Sequence, residues 1–386
     1  MSKKILISLT AFAVIALGAV SAAPKSSKAE PPARKIVIFD SSVANEAAQE
    51  KLLAKFGGVK IKRLPLVRGM VVALPPQANL RGEAGILRVD EDAEVTALGK
   101  PAPAPVPQTI PWGISRVGAN LAWPQTTGAG IKVAVVDTGI DLSHPDLKVY
   151  GGYNAIYPAK TAADDNGHGT HVAGIIAALN NSVGVVGMGP QINLYAVKVL
   201  DRRGSGYVSD IIEGLDWAIQ NGIQVVNMSL GTNSDVQSFH DAITRARNAG
   251  IVLVAAAGND GAAVDYPGAY PEVIAVAATD SANNVAYWSS RGPEVDLAAP
   301  GVSIYSTYKG GTYKTLSGTS MATPHVTGAA ALVLTTSVGA YDLDADGMWD
   351  PAEVQNKLEA TATDLGAAGK DTLYGAGLLN AFAAIQ

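Results

Sequence analysis

The sequence predicts an α/β protein, a mostly parallel sheet flanked by helices, preceded by a small α+β domain. Three observations carry this. From residue 108 onward, short apolar runs alternate with helical stretches, the order of a parallel sheet with crossover helices. Between residues 35 and 89 the order is strand, helix, strand, strand, helix, strand, which is ferredoxin-like. Between these parts, Gly99 and Lys100 lead into Pro101-Ala-Pro-Ala-Pro-Val-Pro107, a semi-extended linker over 99–107.

Taken in order, Lys3 and Lys4 precede the apolar run Ile5 to Val20, and Val20-Ser21-Ala22 offers small residues for cleavage. That order predicts a secretory signal over 1–22 and a secreted, extracellular product, with no membrane association after its removal. In the small domain, 23–98, strands are expected at Lys35 to Phe39, Val59 to Arg63, Met70 to Leu74 and from Ile86 to Val89. A helix is expected from Ala44 to Phe56, with Leu52, Leu53 and Phe56 on one side, and a short one near Asn79 to Ala84. In the large domain, 108–386, Lys132 to Val136 and Ile251 to Ala257 read as buried strands. Val172 to Leu179 and Thr323 to Leu334 are apolar and helical, and Pro351 to Thr361 is a further helix.

The chain has 386 residues, 48% of them apolar, enough for a large core. It has no cysteine, so no disulfide can staple it, and stability must come from the core and from bound ions. A net charge of −5 gives no reason to expect a nucleic-acid partner.

Three separated segments carry the chemistry: Val133-Ala-Val-Val-Asp137-Thr-Gly-Ile-Asp141, Asn166-Gly-His168-Gly-Thr-His171-Val-Ala-Gly174 and Ser317-Gly-Thr-Ser320-Met-Ala-Thr-Pro-His325. A hydroxyl is a weak nucleophile until a base takes its proton, and the base needs an acid to orient it and support its cation. Asp137, His168 and Ser320 suit those roles. An aspartic protease would need a second Asp-Thr/Ser-Gly, and none occurs. The Gly-x-Ser-x-Gly of α/β-hydrolases is absent around Ser320, and a zinc site at His168 and His171 has neither His-Glu-x-x-His nor cysteine to support it. Of the other histidines, His144 lies in a turn, His171 and His325 are expected to pack inside helices, and His240 to be a solvated helix residue.

These motifs, in the order Asp, His, Ser, resemble the subtilisin family of serine proteases. The resemblance covers nearly all of 108–386 and implies a subtilisin-like three-layer fold. It implies that Asn259, in Ala255-Ala-Ala-Gly-Asn259-Asp-Gly261, joins the Ser320 backbone N–H in stabilising the oxyanion. Ser229, Leu230 and Gly231 match the strand that binds protein or peptide substrates by strand addition. The small domain resembles the family's propeptide, an intramolecular inhibitor and folding aid, with a first self-cleavage near Leu98–Gly99. Asp265, before Tyr266-Pro267-Gly268, resembles the base of the pocket for the residue preceding the scissile bond. A carboxylate there attracts Lys or Arg, although Leu98 would occupy that pocket in self-cleavage, and solvent exposure or turn capping is the alternative.

Calcium is the expected cofactor, on two grounds. By resemblance, the side chains of Gln108, Asp146 and Asn181, with the carbonyls of Leu179, Val183 and Val185, form one site. The second stands on spacing. Asp342, Asp344, Asp346, Asp350 and Glu353 occupy positions 1, 3, 5, 9 and 12 of an EF-hand loop, with Gly347 at 6 and the Met348 carbonyl at 7. Subtilisins ordinarily have a shorter connection here, and a solvated acidic loop is the alternative. The combined expectation is a secreted, monomeric, calcium-stabilised endopeptidase made as an inhibited precursor. A catalytically silent calcium-dependent binding or surface protein, and an esterase, are the rivals; the intact Asp137, His168, Ser320 and Asn259 argue against the first.

Overall fold

The computed structural model describes residues 32–43, 45–97, 100–102 and 107–386. The expected signal at 1–22 lies outside the described residues, as do Leu98 and Gly99.

The small domain is an antiparallel sheet of β1 (Ala33–Phe39), β2 (Val59–Leu64), β3 (Gly69–Leu74) and β4 (Ile86–Glu91), in the order β2-β3-β1-β4, with α1 (Glu46–Ala54) on one face. Strand alternation explains its two faces. Val37, Phe39, Met70 and Val72 pack with Leu52 and Leu53 of α1, whereas Ile36, Ile38 and Val71 point into the large domain. The second helix near Asn79 to Ala84 does not form. Pro75 and Pro76 precede this stretch, the Asn79 side chain accepts from Arg81 N, and Gly82 and Gly85 hold left-handed φ of 78° and 91°, so the segment turns instead.

Two short strands follow, β5 (Glu94–Ala97) and β6 (Lys100–Ala102). The second lies in the expected linker, so part of that linker is paired strand. Short helices α2 (Trp112–Arg116) and α3 (Ala119–Ala122) then lead into the main sheet.

That sheet has seven strands, all parallel: β7 (Lys132–Asp137), β8 (Val149–Asn154), β9 (Asn193–Lys198), β11 (Val225–Met228), β13 (Val252–Ala256), β14 (Ile274–Thr279) and β15 (Val295–Pro300). Their order is β15-β14-β13-β11-β7-β9-β8. Both faces of the central strands are covered, so β11, β13 and β14 are buried throughout, whereas edge strand β8 is partly exposed. Val133 and Val135 meet one layer, which holds α4 (His168–Ala177), α7 (Thr319–Val333) and α8 (Pro351–Ala360). Ala134 and Val136 meet the other, with α5 (Val208–Gln220) and α6 (Gln237–Asn248). The result is three layers, helices on each side of one sheet. A hairpin of β16 (Ile304–Tyr308) and β17 (Thr312–Ser317) runs into α7, while β10 (Ser205–Tyr207) and β12 (Leu230–Gly231) flank the site.

The small domain sits on α5 and α6. Asp92 accepts from Ser209 N and Ser209 Oγ at the start of α5 and pairs with Arg34. Lys62 pairs with Asp210 and Glu213, and Arg88 with Asp241. Four charged groups of the small domain thus meet polar groups of the two helices around an apolar centre.

Candidate active site

The site lies where the central strands end. Neighbouring strands β7, β11 and β13 run out at Asp137, just before Ser229, and just before Gly258-Asn259. In parallel sheets the carboxyl edge is where loops converge and sites form.

Asp137 is fully buried, and both carboxylate oxygens meet His168 Nδ1, at 2.8 and 2.9 Å. Oδ1 also accepts from Thr138 N at 2.7 Å. This fixes the ring so that Nε2 is the nitrogen left to exchange a proton. His168 opens α4, and two glycines let it approach Asp137. Gly167 has φ 114°, and a Cβ there would stand 2.2 Å from the Tyr308 ring; one on Gly169 would stand 2.1 Å from Gly139 O.

Ser320 is in the first turn of α7, buried, with Oγ donating to Ser229 O at 3.2 Å, while Ser229 Oγ donates to Ser320 O at 2.9 Å. In that turn the Ser320 N–H has no intrahelical acceptor. Asn259 Oδ1 accepts from Thr319 N at 2.8 Å and Thr319 Oγ1 at 3.0 Å, which leaves its amide donors for another acceptor. The pair can supply two donors to a developing oxyanion.

The chain itself lies in the cleft. β5 runs antiparallel between β10 and β12, with Val95 opposite Gly206, Thr96 opposite both Ser205 and Gly231, and Ala97 opposite Leu230. Beyond 98–99, β6 pairs antiparallel with β17, Lys100 opposite Ser317 and Pro101 opposite Leu316. Asp265 lies beside Gly231 and Gly258, half-buried.

The remaining histidines have other work. His171 is buried, with Nε2 on the carbonyls of Ile304 and Lys314, and burial pushes it down to about 3. His325 Nδ1 donates to Met321 O at 2.8 Å, and burial likewise pushes the ring down, to about 4. Both are neutral packing residues. His240 is not the solvated residue expected: its ring stacks on Tyr270 at 4.1 Å and Nε2 meets Glu272 at 2.9 Å. Neighbours brought in from the loop before β14 cover a helix face that spacing alone leaves in water.

Sequence reasoning overlooked Asp164 and Lys198. Asp164 accepts from Thr138 Oγ1, from the N–H groups of Asn166 and Gly167, and from Thr170. It ties the Asp137 strand end to the start of α4. Lys198 is buried and donates to Thr138 O, Leu200 O and Asp165. Asp164 had a local signal, since it stands among turn formers ahead of a helix; Lys198 had none.

Among the residues considered for calcium, Asp146 is fully buried and accepts from Asn181 Nδ2 and Val185 N at 2.8 and 2.9 Å. Gln108 Nε2 reaches Leu179 O at 3.2 Å, and Val183 N donates to Asn181. Burial pushes the Asp146 carboxyl up, the mark of a desolvated acid that a cation would stabilise. In the other loop, carboxylate oxygens of Asp342, Asp344 and Glu353 lie within 4.8 Å of one another. Glu353 is fully buried, whereas Asp346 is exposed and accepts from Met348 N, and Asp350 caps α8 through Ala352 N and Glu353 N. Gly347 has the left-handed φ, 77°, that its turn requires.

Known proteins resemble this chain closely. The sequence pattern described as the Subtilase family matches residues 128–377. An alkaline protease of Shouchella clausii is 48% identical over 306 residues, 79% of this chain and 75% of the relative. Subtilisin Savinase of Lederbergia lenta is 50% identical over 281 residues, 72% of this chain and 100% of the relative. Subtilisin E of Bacillus subtilis (strain 168) is 42% identical over an alignment that takes in 100% of both chains.

Proposed function

This chain belongs to the subtilase family and is a serine endopeptidase, and from that premise we propose a secreted enzyme made as an inhibited precursor that cuts itself free. Residues 1–22 are the signal, 23–98 the inhibitor and folding aid, 99–107 the linker and 108–386 the peptidase. Among the described residues no helix is long and apolar enough to cross a membrane.

Ser320 Oγ attacks the scissile carbonyl while its proton passes to His168 Nε2. Asp137 holds the ring and supports the imidazolium. The oxyanion is met by the Ser320 N–H and the Asn259 amide. As the intermediate collapses, the C–N bond breaks and His168 gives its proton to the leaving amine. Water then attacks the acyl-enzyme, with His168 again taking a proton, and the acid is released from Ser320. Ser229, Leu230 and Gly231 align the substrate strand.

The observation that carries this reading is the pairing of the chain's own residues 94–97 and 100–102 along the cleft. The paired stretches β5 and β6 lie on the two sides of 98–99, one along the β12 edge and the other along β17, which leads into Ser320. This supports a first cut at Leu98–Gly99. The test is casein digestion and N-terminal sequencing of the full chain and of Ser320→Ala. The wild type digests casein and is shortened at its front. The variant stays uncut, with turnover lower by roughly four to six orders of magnitude, a range carried over from subtilisin itself. A shortened Ser320→Ala chain in a protease-free preparation would defeat the self-processing reading.

The acids and carbonyls described above suit calcium, a hard cation that takes oxygen ligands. Gln108, Asp146 and Asn181, with the carbonyls of Leu179, Val183 and Val185, would hold one ion. Asp342, Asp344, Asp346, Asp350, Glu353 and the Met348 carbonyl would hold another. Bound calcium neutralises these acids and ties their loops to the fold. The enzyme acts as a monomer on proteins or peptides, with no nucleic-acid partner.

A further inference from the structure

Lys198 is a buried cation that the mechanism above leaves unused. It ends β9 opposite Asp137, the last residue of β7, in the parallel register of the two strands. Val133 and Val135 of β7 pack in the same core as Leu194 and Ala196 of β9, so Asp137 and Lys198, two residues further on, turn to that same face. The Lys198 side chain is 5% exposed, and its three N–H donors meet three acceptors: Thr138 O at 2.7 Å, Leu200 O at 2.8 Å and Asp165 Oδ1 at 2.7 Å. A buried ammonium is costly unless it is hydrogen-bonded in this way.

Those acceptors belong to three segments that meet at the Asp137–His168 pair. Thr138 is gripped on every side. Its N–H donates to Asp137 Oδ1, its carbonyl accepts from Lys198, and its hydroxyl donates to Asp164 and accepts from Gly169 N. Leu200 N and Val199 N both donate to Asp137 O, so the turn after β9 closes around the end of β7. Asp165 stands three residues before His168, in the loop that leads into α4. Its side chain is 55% exposed, so water screens its charge while the ammonium stays in the core. The other titratable groups around His168 have partners of their own or are neutral. Asp164 accepts from Thr138, Asn166, Gly167 and Thr170. Tyr308 of β16 donates to Asn166 O, and Lys309 donates to Asp165 O. His171 on α4 and His325 on α7 are held neutral by burial.

We propose that Lys198 is a positioning residue for catalysis. It pins the strand end that carries Asp137, the turn after β9 and the loop that carries His168 to one point, and its charge keeps His168 in the neutral form that accepts the Ser320 proton. The inference rests on the endopeptidase reading above. The positional part acts in the transition state, because the support of Asp137 matters most once His168 is charged. The electrostatic part has a definite sign. A nearby positive charge disfavours the imidazolium, so its loss lets His168 hold a proton to higher pH. Loss of the screened Asp165 charge does the reverse.

The test compares the wild type, Lys198→Met and Asp165→Asn, each expressed as the full chain and assayed on one peptide after N-terminal sequencing shows the front removed. On the alkaline plateau, where His168 is neutral in every protein, Lys198→Met should lower kcat by roughly 10- to 100-fold with KM within about twofold. That split is the mark of support lost in the transition state alone. The acid limb of kcat/KM should move up by about half a pH unit in Lys198→Met and down, by less, in Asp165→Asn. Asn keeps an oxygen for Lys198, so Asp165→Asn should lower kcat much less. A Lys198→Met protein that unfolds cooperatively on heating yet turns over as the wild type does overturns the positioning role, as does a loss carried by KM alone. Acid limbs that coincide in all three proteins overturn it too, while peptide hydrolysis itself stands. If Lys198→Met fails to fold, Asp165→Asn decides: a limb moved down upholds the role, and an unmoved one ends it. If the wild type cuts neither the peptide nor casein, the endopeptidase reading fails, and the positioning role fails with it.

Discussion

The carboxyl edge of the sheet and the seam beneath the small domain are built from opposite materials. At the edge, Asp137, His168 and Ser320 are buried, and backbone groups hold them: Thr138 N on Asp137, Ser229 O under Ser320 Oγ. At the seam, Ile36, Ile38 and Val71 pack on the helices and buried Asp92 accepts from Ser209, but other polar contacts are partly exposed ion pairs, such as Lys62 with Glu213 and Arg88 with Asp241. Backbone contacts inside a packed core yield only when the core opens. Ion pairs within reach of water weaken with salt and contribute little each. The first construction suits a centre that must keep its geometry, the second the removable cover proposed above.

The largest effect that would test this contrast lies at the edge. Gly169→Val places carbon 2.1 Å from Gly139 O, between the His168 helix and the Asp137 strand end. Overpacking of this kind costs about 1–3 kcal/mol, and displacing His168 from Asp137 should lower kcat by roughly 100-fold. Thermal unfolding and peptide hydrolysis measure the two. Wild-type values for both would mean the edge is looser than its geometry implies.

A smaller effect is expected at the seam. Asp92→Ala, made together with Ser320→Ala so that the chain stays whole, removes the acceptor shared by Ser209 and Arg34. Loss of such a buried partner costs about 1–3 kcal/mol. Amide hydrogen exchange at the start of α5 and along β1 should accelerate, while β7 and β13 exchange as before. Added salt should reproduce part of this acceleration. Equal acceleration in β7 would erase the distinction between core and cover.

The smallest effect concerns the two acidic loops. Asp146 is one buried acid among carbonyls and amides, whereas 342–353 is a mostly exposed loop anchored by buried Glu353. Glu353→Gln should remove one calcium equivalent, read by native mass spectrometry, and lower the melting temperature in calcium by a few degrees. At Asp146 the carboxyl is raised by burial, so its calcium-free ionised form is disfavoured in the fold and only that form binds the ion. The gain in melting temperature from calcium should therefore grow as pH rises through that raised value. A gain independent of pH in the Glu353→Gln protein would exclude Asp146 as a ligand.

Much of the fold was legible from local pattern. The apolar runs before Asp137 and Asn259 are strands because both sheet faces are covered, and each ends where its motif begins. The small domain was legible except for Asn79 to Ala84, where Gly82, Gly85 and the Asn79 side chain outweigh helical spacing. His240 was misread because its partners, Tyr270 and Glu272, are some thirty residues away. Asp164 was visible as a turn former, but its bond to Thr138 comes from the opposite end of another loop.

By itself the sequence determined which chemistry this protein carries, because a nucleophile, its base and its acid each sit in a short motif with its own local geometry. It also determined the parallel sheet, since strands buried on both faces are apolar and several of them alternate with helices. Tertiary structure alone decided that Asp137 and His168 share two short contacts, that 94–97 and 100–102 pair along the cleft, and that the Asp265 carboxylate lies beside Gly231 and Gly258 with no partner among the described residues. Each of those depends on distances between segments far apart in the chain, and these are set by packing rather than by local pattern.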